Sequence, residues 1–146
     1  MSKRVFTKIF RGEINVELAM PTIVNGFFSW LVQEDIELVG AEISLQNDMP
    51  SENDGFATCE LELSQTGLIG GDGAILDAKA MEGWNTVPQG ICNQNAHVVL
   101  VLPQGVAIPI KEEGHLYLNT RGYGKTADLS YFEYCVIIYY TKGRSR

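Results

Sequence analysis

The sequence predicts an all-β protein built as a single antiparallel β-sandwich or barrel. Three observations carry that prediction. Apolar residues recur with period two along most of the chain. Clusters of Gly, Pro, Asn and Asp break the alternating runs at intervals of about 8–15 residues. No long stretch carries a persuasive 3.6-residue apolar stripe, so strands fill the chain and helices do not.

The runs can be taken in order. In EINVELAM (13–20), Ile14, Val16, Leu18 and Met20 alternate with Glu13, Asn15 and Glu17, as in a half-buried strand. In NGFFSWLVQ (25–33), Phe28, Trp30 and Val32 point one way and Phe27, Ser29 and Leu31 the other. In DIELVGAEISLQ (35–46), Ile36 and Leu38 are in phase, and Ala41, Ile43 and Leu45 take over after Val39-Gly40. A slip of phase at a glycine predicts a β-bulge. GFATCELELS (55–64) alternates cleanly through Ala57, Cys59, Leu61 and Leu63. ILDAKAMEGW (75–84) is the one short helical candidate, ending near Gly83, and it leaves Trp84 in a loop. HVVLVLP (97–103) and YFEYCVIIYY (131–140) are apolar on both faces, which predicts central strands covered on both sides. GHLYLNT (114–120) is a short strand with Leu116 and Leu118 on one side.

The chain of 146 residues suits one domain, 1–146, and a compact fold of that size buries roughly 68–70% of its unfolded surface. Within it, residues 1–12 form a basic N-terminal arm and residues 142–146 a basic C-terminal tail. Lys3, Arg4, Lys8 and Arg11 stand at one end and Lys142, Arg144 and Arg146 at the other, with no acid among them. The body between holds all eighteen acids against four basic residues, so it carries a formal −14 while the ends carry +7. A body of that sign argues against nucleic acid as a partner. No apolar run approaches the roughly 18 residues of a membrane span, and no secretion signal is legible, so synthesis in a cytoplasm is expected.

The motifs that suggest chemistry fail on context. RGYGKT (121–126) ends like a phosphate-binding loop, but Asn119 stands where the first glycine belongs and a β-branched, aromatic segment follows in place of a helix. It reads as a turn, with Gly122 and Gly124 supplying positive φ. GGDGAILD (70–77) lacks the ligand spacing of a calcium loop. His97 and His115 lie in separate strands, and the carboxylate pairs Glu34-Asp35 and Glu112-Glu113 are neighbours that point apart in a strand. Three distant cysteines, Cys59, Cys92 and Cys135, fit neither a disulfide framework nor a zinc site. No acid–base pair or triad assembles, so no enzyme, cofactor or metal is expected.

What remains is aromatic. Tyr131, Phe132, Tyr134, Tyr139 and Tyr140 crowd the last strand, and Trp84 punctuates a turn-rich stretch. Tyr and Trp bury much area while keeping a polar tip, which suits protein interfaces and also sugar stacking. Lys3, Arg4, Lys8, Arg11, Trp84, Tyr139, Tyr140 and Arg144 are therefore the candidate partner-binding residues. The partner is either a neighbouring protein or, in the alternative, a glycan bound by a lectin-like module.

The runs FFSWLVQEDIELVGAEISLQN (27–47), IKEEGHLYLNT (110–120) and FEYCVIIYYT (132–141) resemble the strand pattern of small jelly-roll virion proteins of tailed phages, of the head decoration or cement type. The resemblance spans residues 27–64 and 97–141. It implies a jelly-roll sandwich that forms a homo-oligomer, often a trimer. Such a protein sits on the virion where subunits of a major capsid protein meet and reinforces the shell, its basic arm reaching across a neighbour.

Overall fold

A computed structural model describes residues 4–16, 21–47, 55–86, 89–91, 95–124 and 130–142. They form β1 (Phe6–Val16), β2 (Pro21–Leu31), β3 (Ile36–Asn47), β4 (Gly55–Ser64), β5 (Ala74–Thr86), β6 (Gln89–Ile91), β7 (Ala96–Val101), β8 (Ile108–Ile110), β9 (His115–Gly124) and β10 (Ser130–Lys142). One sheet, A, runs β1-β10-β3-β7, with the short β8 also paired to β3. The facing sheet, B, runs β2-β9-β4-β5-β6.

With the short β6 and β8 set aside, the pairing has a simple rule. The first strand pairs with the last, the second with the next to last, and so inward to β4 with β5, all antiparallel. This is one long hairpin rolled up until β10 meets β3 and β9 meets β4. The protein is a jelly-roll β-sandwich.

Alternation explains why the strands roll as they do. Leu38, Ile43 and Leu45 of β3, Leu61 and Leu63 of β4, Leu116 and Leu118 of β9, and Phe132, Val136 and Ile138 of β10 meet in one core. Each fully buried side chain of this kind contributes about 1.5–3 kcal/mol. The phase slip at Val39-Gly40 is a bulge. Tyr139 stands opposite Gly40 while Tyr140 stands opposite Leu38, which leaves Val39 as the extra residue. A Cβ at Gly40 would lie 2.9 Å from the Leu100 carbonyl oxygen, so the close approach of β7 requires glycine there.

Several sequence expectations are corrected. The helical candidate 75–84 is part of β5, because Ala78 and Ala80 alternate into the core, and Trp84 is a strand residue opposite Gly55 and Ile91. The N-terminal arm is not an arm from Phe6 onward: Phe6 to Val16 pair in register with Tyr140 to Ser130. Arg121 to Gly124 belong to β9, where Gly122 and Gly124 face Cys59 and Ala57. The described glycines with positive φ are instead Gly26, Gly70, Gly73 and Gly105. Glu34-Asp35 and Glu112-Glu113 lie between strands, where the Glu112 N–H donates to Asp35 Oδ1 at 2.8 Å. β7 is an edge strand rather than a central one.

Candidate interaction surface

Three surfaces surround the core, and their chemistry differs. The first is a seam where aromatic side chains of β1, at the edge of sheet A, meet those of β2, at the edge of sheet B. Phe6 stacks on Tyr140 (centroids 5.7 Å), Tyr140 meets Trp30 (5.3 Å), Trp30 meets Phe10 (6.3 Å), and Phe10 meets Phe28 (4.6 Å). Cations cover this ladder. Arg4 and Lys142 stand 5.0 and 4.8 Å from the Phe6 ring, and Lys8 stands 5.5 Å from Trp30 and 5.9 Å from Phe10. Each such contact is worth about 0.5–1 kcal/mol where solvent reaches it. Lys142 also pairs with Glu34 at 3.1 Å. A charge that follows the inward side of an edge strand, as Lys8 does between Phe6 and Phe10, deters strand addition.

The second surface is the outer face of sheet B, where most of the described charges are paired, although Asp77 Oδ1 and His115 Nδ1 are buried without a hydrogen-bond partner. Glu62 is 3% exposed. Its Oε2 accepts the Gly70 N–H (2.8 Å), and its Oε1 accepts Asn119 Nδ2 (3.2 Å). Asn119, fully buried, also donates to the Thr66 carbonyl (3.0 Å) and accepts the Gly26 N–H on Oδ1 (2.6 Å). That one amide therefore ties the loop 65–73 and the β2 bulge to the sheet. Beside it, Arg121 Nε donates to Glu60 Oε1 at 2.9 Å. Burial, a hydrogen bond to Glu60 and the Glu60 charge push the Asp77 carboxyl up to about 7. Burial acts upward on Glu60 too, but hydrogen bonds from Asp77 and Arg121 bring it below the ordinary value. Two carboxyls with split proton affinity are also the pattern of acid–base catalysis. Here Arg121 and Lys79 enclose them on a flat strand face, which is the setting of a structural ion-pair network.

The third surface is the outer face of sheet A, which is polar around Arg11, Glu13, Gln46 and Glu133 at one end and apolar at the end that includes β7. Val5, Val39, Gly40, Val99, Leu100, Val101 and Tyr139 line a shallow depression in which Glu42 is the one charged residue. Val101 is 78% exposed and Val99 52%. Tyr139 donates its hydroxyl to Glu42 Oε2, and His97 Nε2 lies 3.0 Å from Glu42 Oε1. The Tyr139 bond, then the His97 bond, hold the Glu42 carboxyl below its usual range. The same contact raises the Tyr139 phenol.

The expected partner-binding residues scatter over these surfaces. Arg4, Lys8 and Tyr140 belong to the seam, where Tyr140 is packed on the core. Arg11 is exposed on the outer side of β1, and Tyr139 stands in the apolar depression. The last strand presents no single row of tyrosines, because Phe132 is in the core and Tyr134 and Tyr140 pack against it, while Tyr139 points out. Lys3, Arg144 and the side chain of Trp84 lie outside the described residues, as does Cys92. Cys59 is buried, and that burial pushes its thiol up to about 12. Sequence reasoning missed Val5, Val99 and Val101. The uncharged run HVVLV held the signal, but a covered central strand and a bare edge strand have the same composition.

Among the described residues, no group of three His, Cys, Asp or Glu side chains is placed to hold a metal ion.

No protein-family model matches the chain, and no curated protein matches it. Among solved structures it is similar to the BFDV capsid protein in a decameric assembly, at 11% identity and a TM-score of 0.47, over 97% of this chain and 100% of that one. It is also similar to infectious bursal disease virus, Gx strain, at 15% identity and a TM-score of 0.45. There the match covers 100% of this chain but 35% of the viral one, so this chain spans about a third of that protein. A third is the virus-like particle of the extra small virus of the giant freshwater prawn Macrobrachium rosenbergii, at 9% identity and a TM-score of 0.33, over 94% and 81% of the two chains. Likenesses this loose decide neither fold nor role. The jelly-roll assignment rests on strand order.

Proposed function

We propose that this chain is a structural virion protein that acts by contact, and in particular a decoration or cement protein. It would seat itself as a homo-oligomer, a trimer in the arrangement expected from sequence, on the major capsid protein of a shell. The observation that supports the reading is the solvent-facing apolar depression of Val5, Val39, Val99 and Val101 around Tyr139. An apolar patch whose only charge is already partnered is the chemistry of a protein contact. Jelly rolls also serve as lectins and cupins, so the site must discriminate and the fold does not. Trp30, the described ring best suited to stack on a sugar, already carries Lys8 over it and Tyr140 against it. The basic seam of Arg4, Lys8 and Lys142, together with the exposed Arg11, supplies the complement for an acidic neighbour.

The test is fractionation of particles on a density gradient. The protein should co-sediment with assembled shells at a fixed molar ratio, on their outer surface, and should protect them against heating. Recovery only in the soluble fraction, with shells equally stable without it, contradicts the reading. Deleting residues 1–11 is a poor version of this experiment, because it removes half of β1.

A further inference from the structure

The edges of the two sheets are guarded unequally. β1 carries Lys8 on its inward side, with Arg4, Arg11 and Glu13 beside it. β2 opens on Pro21 and is broken by a register shift at Gly26, whose φ is 60°. β6 is three residues long and, among the described residues, pairs only with 84–86, which leaves 74–83 of β5 open but carrying Asp77 and Lys79. β8, which continues the β7 edge along β3, holds Pro109. These are the devices that keep strand edges from pairing with other chains. β7, with the sequence AHVVLV, has none of them.

Its hydrogen-bonding groups follow from one contact. The Leu102 N–H donates to the Val39 carbonyl of β3, so by strand alternation Leu100 and Val98 also face β3. His97, Val99 and Val101 then turn their N–H and C=O groups to the open side. Among the described residues, no strand pairs with that side. The exposed side chains of Val99 and Val101 join this edge to the apolar depression.

From this edge we infer that β7 is a self-association interface: two copies of the chain pair β7 with β7, antiparallel about a two-fold axis, joining their A sheets into one continuous sheet. Centring the axis on Val99 pairs all three outward residues at once, with Val99 opposite its own copy and His97 opposite Val101. A second copy is the occupant for two reasons. The added strand must itself be an unguarded edge, and among the described strands β7 is the one that qualifies. The body carries a formal −14, and this strip, whose single acid is already held by Tyr139 and His97, is where two such bodies meet without acid facing acid. The inference rests on the reading of this face as a contact surface, and it is tested in purified protein with no shell present.

Sedimentation of the purified protein over a dilution series is the experiment. The wild type should dissociate on dilution from an even-numbered assembly: a dimer, or a hexamer where the two-fold β7 contact joins two of the expected trimers. Val99→Pro removes only an edge N–H that does not bond β3, and Val101→Lys puts an ammonium on a side chain that is 78% exposed. Both should keep the wild-type melting temperature at dilutions where the wild type is dissociated, and each should weaken self-association by roughly a hundredfold. Thr7→Lys, on the guarded β1 edge, should leave it unchanged. A wild type that is monomeric at every concentration reached, or an assembly whose mass neither β7 variant alters, overturns the inference. Failure of the shell experiment with a β7 dimer intact would discard the virion role alone.

Discussion

The outer face of sheet B and the β7 end of the outer face of sheet A share one backbone geometry and opposite chemistry. On sheet B, Glu62, Asn119, Glu60 and Arg121 bind one another and fasten the loop 65–73. On sheet A, the valines of β7 and the ring of Tyr139 surround one carboxylate already held by two neighbours. The first face spends its side chains on the fold. The second leaves Val99 and Val101 exposed. The comparison teaches that polar residues in a strand need not mark a contact surface, since here Glu60, Glu62, Asn119 and Arg121 of sheet B bind one another.

If that division holds, substitutions on sheet B should change stability without touching assembly. The largest effect is expected at Asn119. Asn119→Ala takes the partner from Glu62 Oε1, the Gly26 N–H and the Thr66 carbonyl together, and should cost about 2–4 kcal/mol in denaturant unfolding while the native mass at low denaturant stays the same. A loss of assembly at unchanged stability would break the comparison.

Gly40→Ala sharpens it from the other side. The added methyl meets the Leu100 carbonyl oxygen at 2.9 Å and must push β7 from β3, at about 1–3 kcal/mol. Amide exchange should quicken in residues 96–101 and not in β4 or β5. Uniform quickening would show that β7 is not a separable edge.

The smallest effect is one of pH. Asp77 titrates at about 7 in the fold, against 3.8 for the free side chain. Between those values the folded chain keeps a proton that the unfolded chain releases, so this group makes stability fall as pH rises from about 4 to about 7. Glu60 acts oppositely, its contribution being lost as pH falls below the usual carboxylate range. Asp77→Asn should flatten the fall between pH 4 and 7, by on the order of 1 kcal/mol after screening at a side chain that is 36% exposed. A pH profile identical to wild type would remove the proton from the account.

Most of the fold was legible because alternation is local. Ala57, Cys59, Leu61 and Leu63 announce their inward face without any knowledge of the partner strand, and the slip at Gly40 announces the bulge. The segment 75–84 misled because Ala and Met favour helices in isolation, and the pairing with β4 overrides that preference. The site was harder. Whether HVVLV is covered on both sides or bare on one depends on where β7 falls in the sheet order, which no local pattern encodes. The tyrosines shared one strand in the sequence, but neighbouring side chains of a strand face opposite ways, so Tyr139 turns outward and Tyr140 onto the core. The network around Asn119 joins residues more than fifty positions apart, and only the roll of the hairpin brings them together.

The most direct measurement is hydrogen exchange on the protein, assembled and dissociated by dilution. Assembly should protect the amides of His97, Val99 and Val101 and leave those of β4 and β5 unchanged. Protection that appears on the charged face of sheet B, with β7 exchanging equally fast in both states, would contradict the division of labour between the two faces.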